Sequence, residues 1–399
     1  MKYWLSLLTA TLAITSFAQS PAPTTAAFAA PVPPEIEARA YLLLDVTANQ
    51  VLAAKGADQP VEPASLTKLM TAYIAFDALK TKKLSLDQRL PVSVRAWKME
   101  GSRMFIDPKM TVRVEDLLKG LIVQSGNDAA VAIAEGVGGT VERFVELMNA
   151  RAKALGMTHT HYENPEGLTV AGHTTTAQDL AILATRLMND FPEYIGYYAI
   201  QKFRLEGSPK SNDTNRNKLL FRNSTQTGFI VDGLKTGHTD AAGYCFVVTS
   251  KRTDARVGER RLLAILLGTN SEITRANEGE KLLVWGYNAF EALKLYDAKA
   301  VVASPRVWKG SANEVPLGLS SAKPLVVSVP AGTAPTQVTS QIAGPDPLIA
   351  PLTQGQTIGA LKVLINGQPW HSIPLQALQD VTSSGWLGRT VDTMRLWFH

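Results

Sequence analysis

Three short motifs stand in order along this 399-residue chain: Ser65-Leu66-Thr67-Lys68, Ser125-Gly126-Asn127 and Lys235-Thr236-Gly237. Their side chains complement one another only if they meet, so the fold must close gaps of 60 and 110 residues around one cleft. The first motif puts Ser65 and Lys68 three positions apart on a predicted helix, where both side chains leave from one face and the amine reaches the hydroxyl. A serine hydroxyl is a weak nucleophile at neutral pH and needs a base within hydrogen-bond reach. No His and Asp arrangement accompanies the motifs, which leaves Lys68 as the base. An ordinary lysine, with a pKa of about 10.4, is protonated in water. Burial and the nearby charge of Lys235 are expected to lower it.

The second motif adds a hydroxyl, Ser125, able to bridge the two lysines or pass a proton to a leaving amine. It also adds an amide, Asn127, able to orient Lys68 and bind a substrate amide. In the third, Lys235 and Thr236 suit an anionic acyl substrate, and Gly237 leaves a strand edge open to an extended peptide. A second S-x-x-K, Ser320-Ser321-Ala322-Lys323, and a second S-x-N, Ser311-Ala312-Asn313, fall in the wrong order with no K-T-G after them. The ordered triplet, not any single motif, points to serine acyl transfer.

At 45% apolar and 19% charged the composition is globular, and the length predicts two domains. Met1-Lys2 followed by the apolar run Tyr3 to Ala18 has the order of an export signal, with Ala27-Phe28-Ala29 or Ser16-Phe17-Ala18 as cleavage site. Residues 1–29 are assigned to it; a spanning anchor fits less well, because Ser6, Thr9, Thr11, Thr15 and Ser16 interrupt the run. The single cysteine, Cys245, excludes a disulfide within the chain and reads as a small buried hydrophobe. A net charge of +5 without a basic stripe gives no reason to expect nucleic acid. His159-x-His161 is the one close histidine pair and no H-E-x-x-H occurs, so neither a metal nor another cofactor is expected.

Apolar runs Ala40–Val46 and Val51–Ala54 flank a turn and predict a hairpin. From Leu66 to Ala78 apolar residues occupy more than one helical face, the pattern of a buried helix. Predicted helices Val114–Val123 and Asp128–Val137 place Ser125-Gly126-Asn127 in the turn between them. Strands are predicted at Phe229–Thr236, Gly243–Ser250 and Arg261–Gly268, then a helix from Glu272 to Leu293. Strands at both ends of this region and helices between them predict an α+β domain, one antiparallel sheet with a helical lobe, over residues 30–298. Short Val-, Pro- and Gly-rich runs then predict a small all-β domain over 299–382. In residues 383–399, Leu387, Val391, Met394 and Phe398 form a helical stripe with Trp386 and Trp397 beside it, which predicts an amphipathic helix lying on a membrane surface.

The longer segments around the motifs, Pro63 to Lys68, Gln124 to Ala129 and Val231 to Thr239, resemble those of the low-molecular-mass penicillin-binding proteins, the serine D-alanyl-D-alanine carboxypeptidases. The resemblance spans roughly residues 36 to 399 and implies the penicillin-binding, transpeptidase-like fold. It implies Ser65, Lys68 and Ser125 as catalytic residues, and Asn127, Lys235, Thr236, Gly237, His238 and Arg275 as substrate-binding ones. The backbone N–H groups of Ser65 and His238 would form the oxyanion hole, while Thr236, assisted by Arg275, would take the terminal carboxylate. Peptidoglycan stem peptides and β-lactams are the implied ligands, and the periplasmic face of the cytoplasmic membrane the implied location. Rival readings are a D,D-endopeptidase, a class A-like β-lactamase using Glu163 or Glu166 near Asn164-Pro165, and a binding protein that acylates without turnover.

Overall fold

The structure, a computed structural model, describes residues 30–210, 212–319 and 323–397. The export-signal assignment (1–29), the Ser320 of the second S-x-x-K and Phe398 of the terminal stripe lie outside the described residues. The hairpin forms as expected, β1 (Ala40–Asp45) with β2 (Gln50–Lys55), antiparallel. Its turn is closed by Asp45 Oδ1, which accepts from the amides of Thr47 (2.9 Å) and Ala48 (3.1 Å), and by Asn49 at φ +51°.

A 3₁₀ turn, Ala64–Thr67, then opens α1 (Lys68–Lys80). The helical lobe follows: β3 (Arg89–Pro91), α2 (Val94–Trp97), β4 (Thr111–Arg113), α3 (Val114–Val123), α4 (Asn127–Gly138), α5 (Val141–Leu155) and α6 (Ala177–Asp190). After the short α7 (Ser224–Thr227), the chain returns as β5 (Ile230–Thr239), β6 (Gly243–Asp254) and β7 (Gly258–Thr269), closed by α8 (Glu272–Ala289).

The two ends meet in a five-stranded sheet, β2-β1-β7-β6-β5, with every pair antiparallel. Alternation along the strands divides its two faces. Leu42, Leu44, Leu263, Ile265 and Leu267 pack with α1 and the lobe, whereas Tyr41, Leu43, Leu262, Ala264 and Leu266 pack with Leu282, Leu283 and Tyr287 of α8. Both faces are therefore covered, which is why β1 and β7 read as unbroken apolar runs. Helix α1 lies inside this sandwich with all but two of its residues, Asp77 and Lys80, buried. Strand β5 is an edge strand, and its free edge faces the lobe's second motif.

The helix expected to reach Leu293 stops at Ala289. The next residues form β8 (Phe290–Tyr296), because their alternate side chains find a partner strand that no helix period reveals. The remaining strands are β9 (Val301–Ala303), β10 (Val307–Trp308), β11 (Leu317–Gly318), β12 (Leu325–Pro330), β13 (Val338–Ala343), β14 (Leu348–Ile349), β15 (Thr357–Ile365) and β16 (Gln368–Ala377). Strand β8 pairs with β12, and the five-stranded order β13-β15-β16-β11-β9 encloses a separate apolar core. The terminal α9 (Trp386–Leu396) leaves Trp386, Leu387, Val391 and Met394 exposed along one stripe, continued by Trp397. Among the described residues no helix is long and apolar enough to cross a membrane.

Candidate active site

The 3₁₀ turn explains how Ser65 and Lys68 meet. At three residues per turn, side chains i and i+3 eclipse, so the pair is aligned more directly than in the α-helix expected from sequence. Lys68 Nζ lies 2.9 Å from Ser65 Oγ, 2.7 Å from Asn127 Oδ1 and 2.6 Å from Glu166 O. A neutral amine has two N–H donors and one lone pair. Donated to Asn127 and Glu166, the two hydrogens leave the lone pair facing the Ser65 hydroxyl. Lys68 is 1% exposed, and burial lowers its pKa to about 7, opposed by the charges of Glu166 and Asp128 and helped by Arg216. The expected helper was Lys235. Lys235 is itself buried and pushed well down, first by burial and then by Lys68, Arg216 and Arg275.

Ser125 sits between α3 and α4 at φ +56°, a left-handed conformation that a non-glycine residue holds only where its surroundings fix it. Asp128, in the first turn of α4, braces the loop packed beside this turn. Its buried carboxylate accepts from the amides of Met104 (3.0 Å), Phe105 (2.8 Å) and Ile106 (3.2 Å), pinning the loop beside the turn. Asn127 Nδ2 donates to Glu100 O at 2.6 Å, which fixes its oxygen toward Lys68. Ser125 is expected to bridge the lysines. Among the described residues its Oγ makes no hydrogen bond, and Lys235 Nζ donates instead to Thr236 O at 2.9 Å.

Ser65, Ser125, Asn127, Thr236, Gly237, His238 and Arg275 line one cavity of about 320 Å³, with Glu166, Arg216, Tyr244 and Glu272. The side chain that Gly237 lacks would not project at a substrate. A Cβ there would stand 3.2 Å from Pro63 O and Ala64 Cβ and 3.3 Å from Leu66 Cγ, so glycine lets β5 back closely onto the nucleophile's turn. His238 stacks on Tyr244 with ring centroids 3.9 Å apart. Arg275 is buried and directed into the cleft, where Nη1 donates to Gly237 O (3.3 Å) and Nη2 to Arg216 O (3.4 Å). Burial lowers its pKa to about 10. Arg216, exposed at the rim, is a cation that no motif marks.

The loop after α5 closes the floor. Gly167, at φ +89°, lies so near Ala64 that a Cβ would come within 1.9 Å of its carbonyl oxygen. Buried His173 accepts from Glu163 N at Nδ1 (3.1 Å), so Nε2 carries the proton and donates to Thr67 Oγ1 (2.8 Å). Burial, then His161, lowers its pKa to about 4, which makes it a neutral brace. Cys245 is fully buried, its thiol pushed up by burial to about 11. A larger cavity, about 690 Å³, lies between the domains, but its ionic groups pair with one another, Arg261 with Asp232 (2.9 Å) and Lys251 with Glu259 (3.3 Å).

The arrangement is a serine with a buried lysine amine 2.9 Å away, beside an open strand edge. The D-alanyl-D-alanine carboxypeptidase family model (peptidase S11) matches residues 26–269, and the model of the C-terminal domain of penicillin-binding protein 5 matches residues 290–383. The chain belongs to the serine D-alanyl-D-alanine carboxypeptidase family and is a serine peptidase. It is 38% identical to the D-alanyl-D-alanine carboxypeptidase DacC of Escherichia coli over 372 residues, 92% of this chain and 90% of that one. To the carboxypeptidase DacA of the same organism it is 34% identical, over 92% and 89% of the two chains. The crystal structure of penicillin-binding protein 5 from Haemophilus influenzae superposes with a TM-score of 0.77 at 34% identity, covering 88% of this chain and 99% of that one.

Proposed function

We propose that the protein removes the terminal D-Ala from peptidoglycan stem peptides through an acyl-enzyme on Ser65, and that penicillins acylate the same serine. The observation that carries this reading is the buried Lys68 amine 2.9 Å from Ser65 Oγ, facing the free edge of β5. Neutral Lys68 takes the Ser65 proton as Oγ attacks the penultimate D-Ala carbonyl. The N–H groups of Ser65 and His238 hold the oxyanion, and Ser125 passes the proton to the departing amine. Asn127 orients Lys68 and binds the peptide amide, Lys235 and Thr236 meet the terminal carboxylate, and Arg275 supports them through Gly237. Released D-Ala from a peptide ending in D-Ala-D-Ala tests the reading. Amidating that terminus should lower kcat/KM roughly tenfold to a hundredfold, about 1.4 to 2.8 kcal/mol of transition-state stabilisation. Equal rates on both peptides would favour crosslink cleavage.

Residues 1–29 direct export in this reading, and the domains divide at the end of α8, since β8 pairs with β12. The exposed stripe of α9 rests on the periplasmic face of the membrane. Deleting residues 383–399 should release the protein to the soluble fraction; retention at the membrane would refute that role.

A further inference from the structure

Between α2 and β4 the chain folds over the second motif and encloses Asn127. Asn127 N donates to Ser102 O (2.7 Å) and Nδ2 to Glu100 O (2.6 Å), while a Cβ on Gly101 would stand 3.0 Å from that Nδ2. The loop is anchored from two sides. Ser208 Oγ donates to Met104 O (3.1 Å) and Asn212 Nδ2 to Arg103 O (2.9 Å), whereas the loop amides turn inward onto the buried carboxylate of Asp128. Oδ1 accepts from Met104 N (3.0 Å) and Ala129 N (2.9 Å), and Oδ2 from Phe105 N (2.8 Å) and Ile106 N (3.2 Å). With Phe105 at φ +64°, three successive loop amides converge on one anion, a backbone nest that needs both oxygens of a carboxylate. Gly126 belongs to the same arrangement. A Cβ on it would come within 2.8 Å of Asp128 Oδ1 and 3.3 Å of Met104 N, so the motif's glycine leaves the carboxylate its path to the loop.

We propose that Asp128 is a positioning residue for the acyl-transfer base: by fixing the loop on Asn127 it fixes the amide oxygen that aims the Lys68 amine at Ser65. The proposal rests on the acyl-enzyme reading above. The contacts run in series, from Asp128 to the amides of Met104, Phe105 and Ile106, from Glu100 O and Ser102 O to Asn127, and from Asn127 Oδ1 to Lys68 Nζ at 2.7 Å. Asp128 does not line the cleft, so it acts on the reaction through that series and through its charge. The charge works against the base. It raises the Lys68 pKa, opposing burial, and so reduces the neutral amine. An acid whose charge opposes the base contributes by geometry. Glu166 from the loop after α5, Lys235 from β5 and Arg216 from the rim are the other charges that interact with Lys68.

Turnover of a D-Ala-D-Ala peptide by the full chain, divided by the number of sites that fluorescent penicillin labels, separates positioning from folding. Asp128→Asn keeps the shape but turns one acceptor oxygen into an N–H donor facing two amides. Its kcat per labelled site should fall about tenfold or more with no rise in KM, because a displaced catalytic group loses rate rather than binding. With the anion gone, the rising limb of penicillin acylation should also move to lower pH, although its plateau is lower. Gly126→Ala keeps the charge and crowds the carboxylate off the loop, and its φ of −61° suits alanine. That variant should lose kcat per site by roughly threefold or more and leave the limb in place. A smaller fall in Asp128→Asn, with only the labelled fraction or the unfolding midpoint reduced, makes Asp128 structural and overturns the proposal. So does a KM that rises at unchanged kcat, which would make the loop a substrate-binding wall. If Asp128→Asn does not fold, Gly126→Ala decides, and a loss of less than about threefold overturns the proposal. Failure of the acyl-enzyme reading is distinct: the wild type itself would take no penicillin label at Ser65 and free no D-Ala.

Discussion

Charge is buried in two regions of this molecule, and the two treat it in opposite ways. At the junction of the domains, Asp45 and Arg260 meet at 2.8 Å with no exposed side-chain surface. Arg260 Nη1 donates to Phe290 O (2.6 Å) and Ser328 Oγ to Asp45 Oδ2 (2.7 Å), while Gln50 Oε1 accepts from Ser328 N (3.0 Å). Charge is matched by charge, and neighbours on both domains take most of the remaining positions, with Arg260 Nη2 buried and without a hydrogen-bond partner among the described residues. In the cleft, Lys68, Lys235 and Arg275 are buried, and among the described residues the Lys235 amine donates only to the carbonyl of Thr236. Matched charges make a structural joint. Unmatched ones move their pKa values toward neutrality, where protons exchange at physiological pH.

The largest effect expected from this contrast is at Lys68. Lys68→Ala should lower the rate constant for penicillin acylation by about 10²- to 10⁴-fold, the range for losing a general base. Lys68→Arg is the sharper variant, because a guanidinium keeps the charge but does not deprotonate. If both variants acylate within tenfold of the wild type, the lysine is not the base and the cleft's charges are merely structural.

At the junction the loss should fall on stability instead. Asp45→Ala leaves Arg260 buried without its carboxylate and should destabilise the protein by about 3–5 kcal/mol, measured by denaturant unfolding. The folded fraction should acylate as fast as the wild type. The double variant Asp45→Leu, Arg260→Met should cost less than Asp45→Ala alone, because no charge is stranded. A junction single variant that slows acylation while leaving stability intact would erase the distinction between the regions.

Much of this organisation is legible in the sequence, and the rest is hidden for identifiable reasons. The motifs mark Ser65, Lys68, Ser125, Asn127 and Lys235 because acyl-transfer chemistry constrains residue type and order. The hairpin and the late strands show as apolar runs because their sheet is covered on both faces. The end of α8 was not readable, since Phe290 to Leu293 continue an apolar pattern and only β12, 35 residues beyond Phe290 at its start, converts them to a strand. Asp128 had a local signal, an acid in the first turn of α4 beside the Asn127 of the motif. Arg216 and Glu166 had weaker ones, since their place in the cleft depends on loops converging from different parts of the chain. Arg275, which reads as readily as a surface arginine, is buried by the β5 and β6 neighbours it packs on.

The smallest predicted effect tests whether excess cation tunes the base. Acylation needs the Lys68 amine neutral, and its pKa lies at about 7. Below that pH the neutral fraction falls tenfold per unit, so acylation should rise with pH to about 7 and level off above it. A rate that falls as pH rises through 7 has the wrong sign for this base. The positive charge of Arg216 helps hold the Lys68 pKa down, so Arg216→Gln should move the rising limb to higher pH. Arg216 is exposed, and solvent screens it, so the loss at pH 6 should be less than about threefold. Because Arg216 also lines the cleft, the position of the limb, not the height of the plateau, is the quantity to compare. A limb displaced to lower pH would mean that the rim does not add to burial in setting the base, and that the cleft's excess charge serves substrate binding alone.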